Sequence, residues 1–427
     1  MSASAVTGRT KTVRFDELQP MTDAIRAQAL AARAAGEHAR AVACWQVLLD
    51  ARPEDWRAAL DLKRDIKAAH RYPDSDARFR RAARFLPDDE WFAHYSNLYA
   101  FHFDDLAWLR ARADALRQRR PADAGLAALT GDIARQQRDW AAAAAAFDAA
   151  LALDPSQVAW RHQAVAARRY QHLAGQSWAD AGPLSPITVI NLDRNPDLLA
   201  EMARQLAVSG VSWRRLPAVE GGRLPAGAIA RLTGRADAFR GTLGCFLSHA
   251  AAWEAMLARG EEAALILEDD ALLLLDPPAR LGGLPLPPGW ELVFVNDRME
   301  PKQPPDGFAV QPLAACFAGF APWDNAVGTD GYLISAAGAR KLLRWVAEDG
   351  FADDADWRMA AYAMTPAQVA ALPDGQHARA ELQRMHRLTQ RAARLAAYAL
   401  SPALVRHVGA SSDREDENRR HEQTPPA

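Results

Sequence analysis

Hydrophobic spacing divides the chain into two textures. From Pro20 to Gln171 apolar residues recur three and four apart between Ala and Arg, and the pattern predicts one helix after another. After Pro186 the texture changes. ITVINLDR (Ile187–Arg194) is a short β-branched run that ends in polar groups, which predicts a buried strand delivering Asn191, Asp193 and Arg194 to its carboxyl end. Helical spacing returns through Leu198, Met202 and Leu206 and stops near Gly210, and VSWRRLPAV then reads as a second strand. GTLGCFLSHAAAWEAMLARG (Gly241–Gly260) predicts a helix with Leu247, Ala250, Trp253 and Leu257 on its apolar face. AALIL, ELVFVND (Glu291–Asp297) and GYLIS (Gly331–Ser335) predict three more strands, with Ser335 capping the helix AAGARKLLRWVAE. Strand–helix–strand is the start of an open α/β sheet, in which ligands bind outside the carboxyl ends of the strands.

The helical part carries a period. Pro53, Pro87, Pro121 and Pro155 follow one another at intervals of 34 residues. That is the length of a tetratricopeptide unit, a helix–turn–helix closed by a proline that cannot continue the second helix. Gly36, Ala41, Trp45, Leu48 and Pro53 form one set, and Gly131, Ala143, Phe147, Ala150 and Pro155 another. Small residues let paired helices approach, and Trp45 and Phe147 fill the space between neighbours. The middle units are degenerate, with Phe79 and Ala113 at the aromatic position and Ser75 and Leu109 at the small one. About four such units bury a continuous core and offer a surface for a protein or peptide partner. An irregular helical bundle is the alternative.

These textures set the expected domains: a flexible N-terminus over 1–19, repeats over 20–171, a Gly- and Pro-punctuated linker over 172–186, an α/β domain over 187–410 and a disordered tail over 411–427. Composition narrows the partners. The 427 residues carry a formal charge of −2, which supplies no field for nucleic acid. Cys44, Cys245 and Cys316 lie far apart, so neither a disulfide framework nor a thiolate zinc site is expected, and a reducing compartment fits. The N-terminus lacks a secretory core, and the longest apolar run, Ala263–Leu275, is split by acidic residues, so no transmembrane segment is expected.

That split is the candidate chemistry. Glu268, Asp269 and Asp270 stand directly after an apolar strand, and carboxylates so placed need solvent or a cation. Side chains alternate along a strand, so Glu268 and Asp270 point one way and offer hard oxygen ligands to Mn²⁺ or Mg²⁺. An acidic turn between two elements is the plain alternative.

With these residues in place, the order of segments resembles glycosyltransferase family 25, the lipooligosaccharide-type transferases related to collagen galactosyltransferases. The matching stretches are ITVINLDR, PAVEGG (Pro217–Gly222), GTLGCFLSHAAAW (Gly241–Trp253), ALILEDDA (Ala264–Ala271), FVND (Phe294–Asp297), GTDGYLISAAGARKLL (Gly328–Leu343) and ADWRM (Ala355–Met359). The resemblance implies an α/β GT-A-like domain, a Rossmann-like open sheet, behind the N-terminal all-α tetratricopeptide-like solenoid. It implies inverting transfer of a hexose, often galactose, from a UDP-sugar to a glycan or protein acceptor, with Mn²⁺ and no organic cofactor. Lipopolysaccharide biosynthesis is the expected setting, in the cytoplasm or against the inner membrane face.

Carried onto this chain, Glu268 and Asp270 are the metal residues. Asn191, Asp193, Arg194, Ser248, Asp269 and Tyr332 are expected at the donor. Asp356 is the first candidate for the base that takes the acceptor proton, followed by His249. Asp330 is a further candidate base, though in its Gly-rich turn it also reads as a turn residue, and Asp356 also reads as a helix cap. Thr242 stands where the family has Glu, and NPDLLAEM lacks the family's Arg. These departures leave open a second reading, a repeat-based binding scaffold whose transferase-like domain does no chemistry.

Overall fold

The structure, a computed structural model, describes residues 15–69, 76–96, 104–174, 187–209, 211–234, 238–274, 284, 286–300, 309–319, 327–351, 353–389, 391 and 393–406. The expected tail and most of the expected linker lie outside them, as does Ser75. The chain forms two compact units, Met1–Asp104 and Asp105–Ala427.

The first unit holds α1 (Phe15–Ala34), α2 (His38–Ala51), α3 (Trp56–Ala68), α4 (Ala77–Ala83) and α5 (Asp88–Tyr95). Side chains of Asp55 and Asp76 accept the first free N–H groups of α3 and α4, the reason these helices start where they do. Trp45, Leu48, Leu62, Phe79 and Trp91 make the buried core. One carboxylate lies within it. Asp65 accepts from Trp45 Nε1 at 2.7 Å and from Arg33 Nη2 at 2.6 Å, so three helices are tied through one satisfied charge.

The second unit opens with α6 (Leu106–Arg119), α7 (Ala124–Gln136), α8 (Trp140–Leu153) and α9 (Val158–Ala174). Asp105, Asp123 and Asp139 cap the first three. Pro53, Pro121 and Pro155 stand just beyond the ends of α2, α6 and α8, and Pro87 is the N-cap of α5. Ala41, Trp45, Ala143, Phe147 and Ala150 are all buried between helices.

The sheet follows: β1 (Ile187–Asn191), α10 (Pro196–Ser209), β2 (Trp213–Pro217), α11 (Ala226–Thr233), α12 (Arg240–Ala258), β3 (Ala263–Glu268), β4 (Leu272–Leu273), β5 (Leu292–Phe294), β6 (Ala309–Pro312), α13 (Leu313–Ala318), β7 (Gly331–Ser335), α14 (Ala336–Asp349), α15 (Ala355–Ala363), α16 (Pro366–Ala370), α17 (His377–Leu388), β8 (Ala397–Ser401) and β9 (Val405–Arg406). Seven strands run in the order β2-β1-β3-β7-β5-β8-β6, and β4 pairs with β9 in a two-stranded sheet of its own. β1 is parallel to β2 and β3. The sheet is mixed, because β7 runs antiparallel to both β3 and β5. Ser335 caps α14 by accepting from Gly338 N–H at 3.1 Å, as its position predicts. Phe246, Trp253, Ile266, Phe294, Tyr332 and Leu342 belong to the core on one face.

Two features of this fold place the site. The antiparallel pairing of β3 with β7 sets the end of one against the start of the other, with Leu267 opposite Gly331 and Glu268 N–H donating to Asp330 C=O at 3.1 Å. The loop after β2 also lies directly on α12. A Cβ on Gly244 would stand 2.6 Å from Val219 O, and one on Gly221 would stand 1.8 Å from Arg240 O, so only glycine permits that approach.

Candidate functional site

Glu268 ends β3, Asp269 and Asp270 form the turn toward β4, and the three carboxylates part company. Asp269 turns toward β1, where it accepts from Asn191 Nδ2 at 2.6 Å. Asn191 also donates to Asn195 C=O at 2.9 Å and accepts from Arg215 Nε at 2.7 Å. Arg215 pairs in turn with Asp193. Glu268 and Asp270 meet Asp330 instead, each offering a carboxylate oxygen within 4.8 Å of the others. Three hard oxygen donors from two chain segments suit a divalent ion such as Mn²⁺ or Mg²⁺. Arg298 Nε stands 3.1 Å from Asp330 Oδ2 and balances part of that charge.

Glu268 is held from behind. Its Oε1 lies 3.1 Å from His249 Nε2 and also accepts from Thr329 Oγ1. His249 Nδ1 lies 3.0 Å from the Tyr332 hydroxyl, which accepts from Trp253 Nε1 at 2.9 Å. An indole N–H can only donate, so the tyrosine hydrogen is available to His249 Nδ1, and the histidine then carries its own hydrogen on Nε2 toward Glu268. Burial holds the Tyr332 hydroxyl well above the usual phenol range, which keeps it a donor.

The expected residues therefore sort by place. Glu268, Asp270 and His249 meet at the end of β3, while Asp269 meets Asn191, which Arg215 links to Asp193. Tyr332 is fully buried and reaches the cluster through its hydroxyl, so it supports His249 and presents no ring face to solvent. Ser248 ties α12 to the loop after β2, accepting from Val219 N–H at 2.8 Å and donating to Gly244 C=O at 2.7 Å. Arg194 pairs with Glu220 at 2.7 Å. Asp356 is buried at the start of α15, where its Oδ1 accepts from Trp357 N–H, and it belongs to neither of the ion-capable groups among the described residues.

Asp330, a candidate base in a Gly-rich turn, joins the cluster as a carboxylate beside Glu268 and Asp270. Trp253 was legible only as an apolar-face residue, and Arg215 and Thr329 were not singled out by the sequence. The available signal was position, since GTD (Gly328–Asp330) immediately precedes β7.

Residues 184–276 match glycosyltransferase family 25. The family is described as an LPS biosynthesis protein, and the match contains β1, α12 and the acidic triplet. It leaves Asp330, Tyr332 and Asp356 outside. The chain is similar to a glycosyltransferase 25 family member of Aedes aegypti, 31% identical over 194 residues, 40% of this chain and 30% of that protein. It is 29% identical to procollagen galactosyltransferase 1 of Danio rerio over 37% of this chain and 28% of that protein. It is 32% identical to the inactive glycosyltransferase 25 family member 3 of Homo sapiens over the same shares, 37% and 28%. The matched stretch thus spans less than a third of the length of each of these relatives. Among the described residues no helix is long and apolar enough to cross a membrane.

Proposed function

We propose that this protein is a glycosyltransferase that moves a hexose, galactose first among them, from a UDP-sugar to a glycan or protein acceptor. The observation that carries this reading is the convergence of Glu268, Asp270 and Asp330 at the end of β3, in and beside the stretch that matches the family. A divalent ion there supplies Lewis-acid neutralisation of a departing nucleoside diphosphate. In this reading Glu268 and Asp270 hold the ion with Asp330. Asp269, Asn191 and Asp193 shape the edge of the donor site. His249 orients Glu268, since both of its ring nitrogens are engaged. Asp356 stays a candidate base, with Asp356→Asn as its test. The helices, read as tetratricopeptide units, select a protein or peptide, and a polypeptide acceptor would unite the two halves of the chain.

Release of UDP by the purified protein with Mn²⁺ and a panel of UDP-sugars tests the reading. The expected result is donor-dependent release that falls about 100-fold or more in Asp270→Ala, the loss of several kcal/mol of charge stabilisation. Release that is absent with every donor, or that is unchanged in the variant, removes it. The resemblance to relatives named inactive supports a second reading, a scaffold that binds through its helices. Thermal unfolding with UDP and Mn²⁺ separates the two, because a working nucleotide site raises the transition and loses that shift in Glu268→Ala.

A further inference from the structure

We propose that Cys245, His249 and Glu268 form a second metal site, one that takes a thiophilic divalent ion such as Zn²⁺ and competes for Glu268 with the oxygen-only set. Cys245 and His249 are four residues apart on α12 and so share one face, which meets the end of β3. A ligand atom from each of the three residues lies within 4.8 Å of the other two. The separation of His249 Nε2 from Glu268 Oε1 is 3.1 Å. Two ligands of a tetrahedral zinc, with bonds of about 2.0–2.1 Å, sit about 3.3 Å apart, so this edge of the site is already formed.

The surroundings suit an ion as well. A metal-bound histidine is normally steadied through its other ring nitrogen. Here Nδ1 faces the Tyr332 hydroxyl, itself fixed by Trp253. With an ion on Nε2, the ring hydrogen moves to Nδ1 and is donated to the tyrosine oxygen, whose own hydrogen rotates away from the ring. The Cys245 thiol gives its proton to solvent, and thiolate and carboxylate together balance the ion's two charges. Cys245 and Glu268 are partly exposed, which gives the ion a way in, and three protein ligands leave a fourth position open. Donor softness separates the two sets: sulfur and imidazole select zinc-like ions, and three carboxylates select Mn²⁺ or Mg²⁺. Because Glu268 belongs to both, zinc lowers the affinity for the hard ion, and the hard ion lowers that for zinc by the same factor.

Titration of the full chain with Co²⁺, followed by absorption, reads the site without reference to transferase activity, so its failure and the failure of the proposed function are separate outcomes. The expected result is a thiolate-to-cobalt charge-transfer band that saturates at one equivalent and is bleached by Zn²⁺. Cys245→Ser abolishes the band, Glu268→Gln weakens cobalt binding at least about 10-fold, and Cys44→Ser, Cys316→Ser and Asp270→Asn keep it. Zn²⁺ also protects Cys245 of the unmutated chain from alkylation, which needs no variant to fold. Absence of the band in the unmutated chain, its survival in Cys245→Ser, or alkylation of Cys245 unaffected by Zn²⁺ overturns the proposal.

Discussion

Tyr332 carries one oxygen on which three other polar groups depend. Its hydroxyl links Trp253 Nε1 and His249 Nδ1, and His249 in turn meets Glu268. Tyr332→Phe keeps the ring that fills the core and removes only that link. Two buried groups then lose a partner, at a cost of about 1–3 kcal/mol each, which urea unfolding will show. The diagnostic effect lies elsewhere. Groups that orient a metal ligand are typically worth about 10–100-fold in metal affinity. A Mn²⁺ titration followed by electron paramagnetic resonance should show that loss in Tyr332→Phe, and an affinity equal to that of the unmutated protein would refute the orienting role. The sequence made Tyr332 and His249 visible as residues, but not as a pair. They are 83 positions apart, and only the pairing of β3 with β7 and the packing of α12 on that face bring them together.

At the scale of elements, the contact between α12 and the loop after β2 explains two of the glycines in PAVEGG and GTLGC. Gly221 and Gly244 lie where backbone meets backbone, and no side chain can yield to make room. Gly244→Val should therefore destabilise the second unit by about 1–3 kcal/mol or more, the usual penalty for overpacking, although valine costs little elsewhere in a helix. Gly227→Val, in α11, where an added Cβ would meet only the end of the Arg231 side chain at 3.8 Å, is the control. Equal melting curves for the two variants would argue against the close approach. Elements with their own period were legible in advance: β1, α10, α12, β3, β7 and α14 lie within a few residues of where the pattern put them. What was not legible was register and partnership. β4, β6, β8 and β9 are two to five residues long and have no period to read. The antiparallel insertion of β7 between β3 and β5 depends on packing, not on the composition of GYLIS. For the same reason Asp330 was legible as a turn residue and candidate base but not as the neighbour of Glu268, which is set by a strand pairing more than sixty residues away in sequence.

At the scale of the molecule, composition put a boundary near residue 172, whereas α6 to α9 share a compact unit with the sheet. The reason is a set of anchors on α9 that no periodicity reveals. Tyr170 packs on Trp140 with ring centroids 4.7 Å apart and donates to Ala403 C=O at 2.7 Å. Arg169 meets Glu300 at 3.0 Å and Ser401 Oγ at 2.7 Å. Burial pushes the Glu300 carboxyl above its usual range, and the Arg169 charge pulls it back. The docked helix thus depends on one compensated charge. Arg169→Ala leaves that carboxylate buried without its cation, at a cost of about 3–5 kcal/mol near neutral pH. The pH dependence follows from the direction of the shift. A carboxyl whose folded pKa is raised favours the folded state below its unfolded pKa and loses that advantage as pH rises through the folded value. Removing Arg169 raises the folded value further, so the deficit of the variant against the unmutated protein is greatest at pH 7 and shrinks as pH falls toward 4.5, the ordinary glutamate value. Tyr170→Phe, which removes one neutral hydrogen bond worth about 1 kcal/mol, should show a deficit that does not change over that range. Urea unfolding of the three proteins from pH 7 to pH 4.5 decides it. An Arg169→Ala deficit that is flat with pH would mean that Glu300 finds another cation or water, and that α9 is held to the sheet by packing alone.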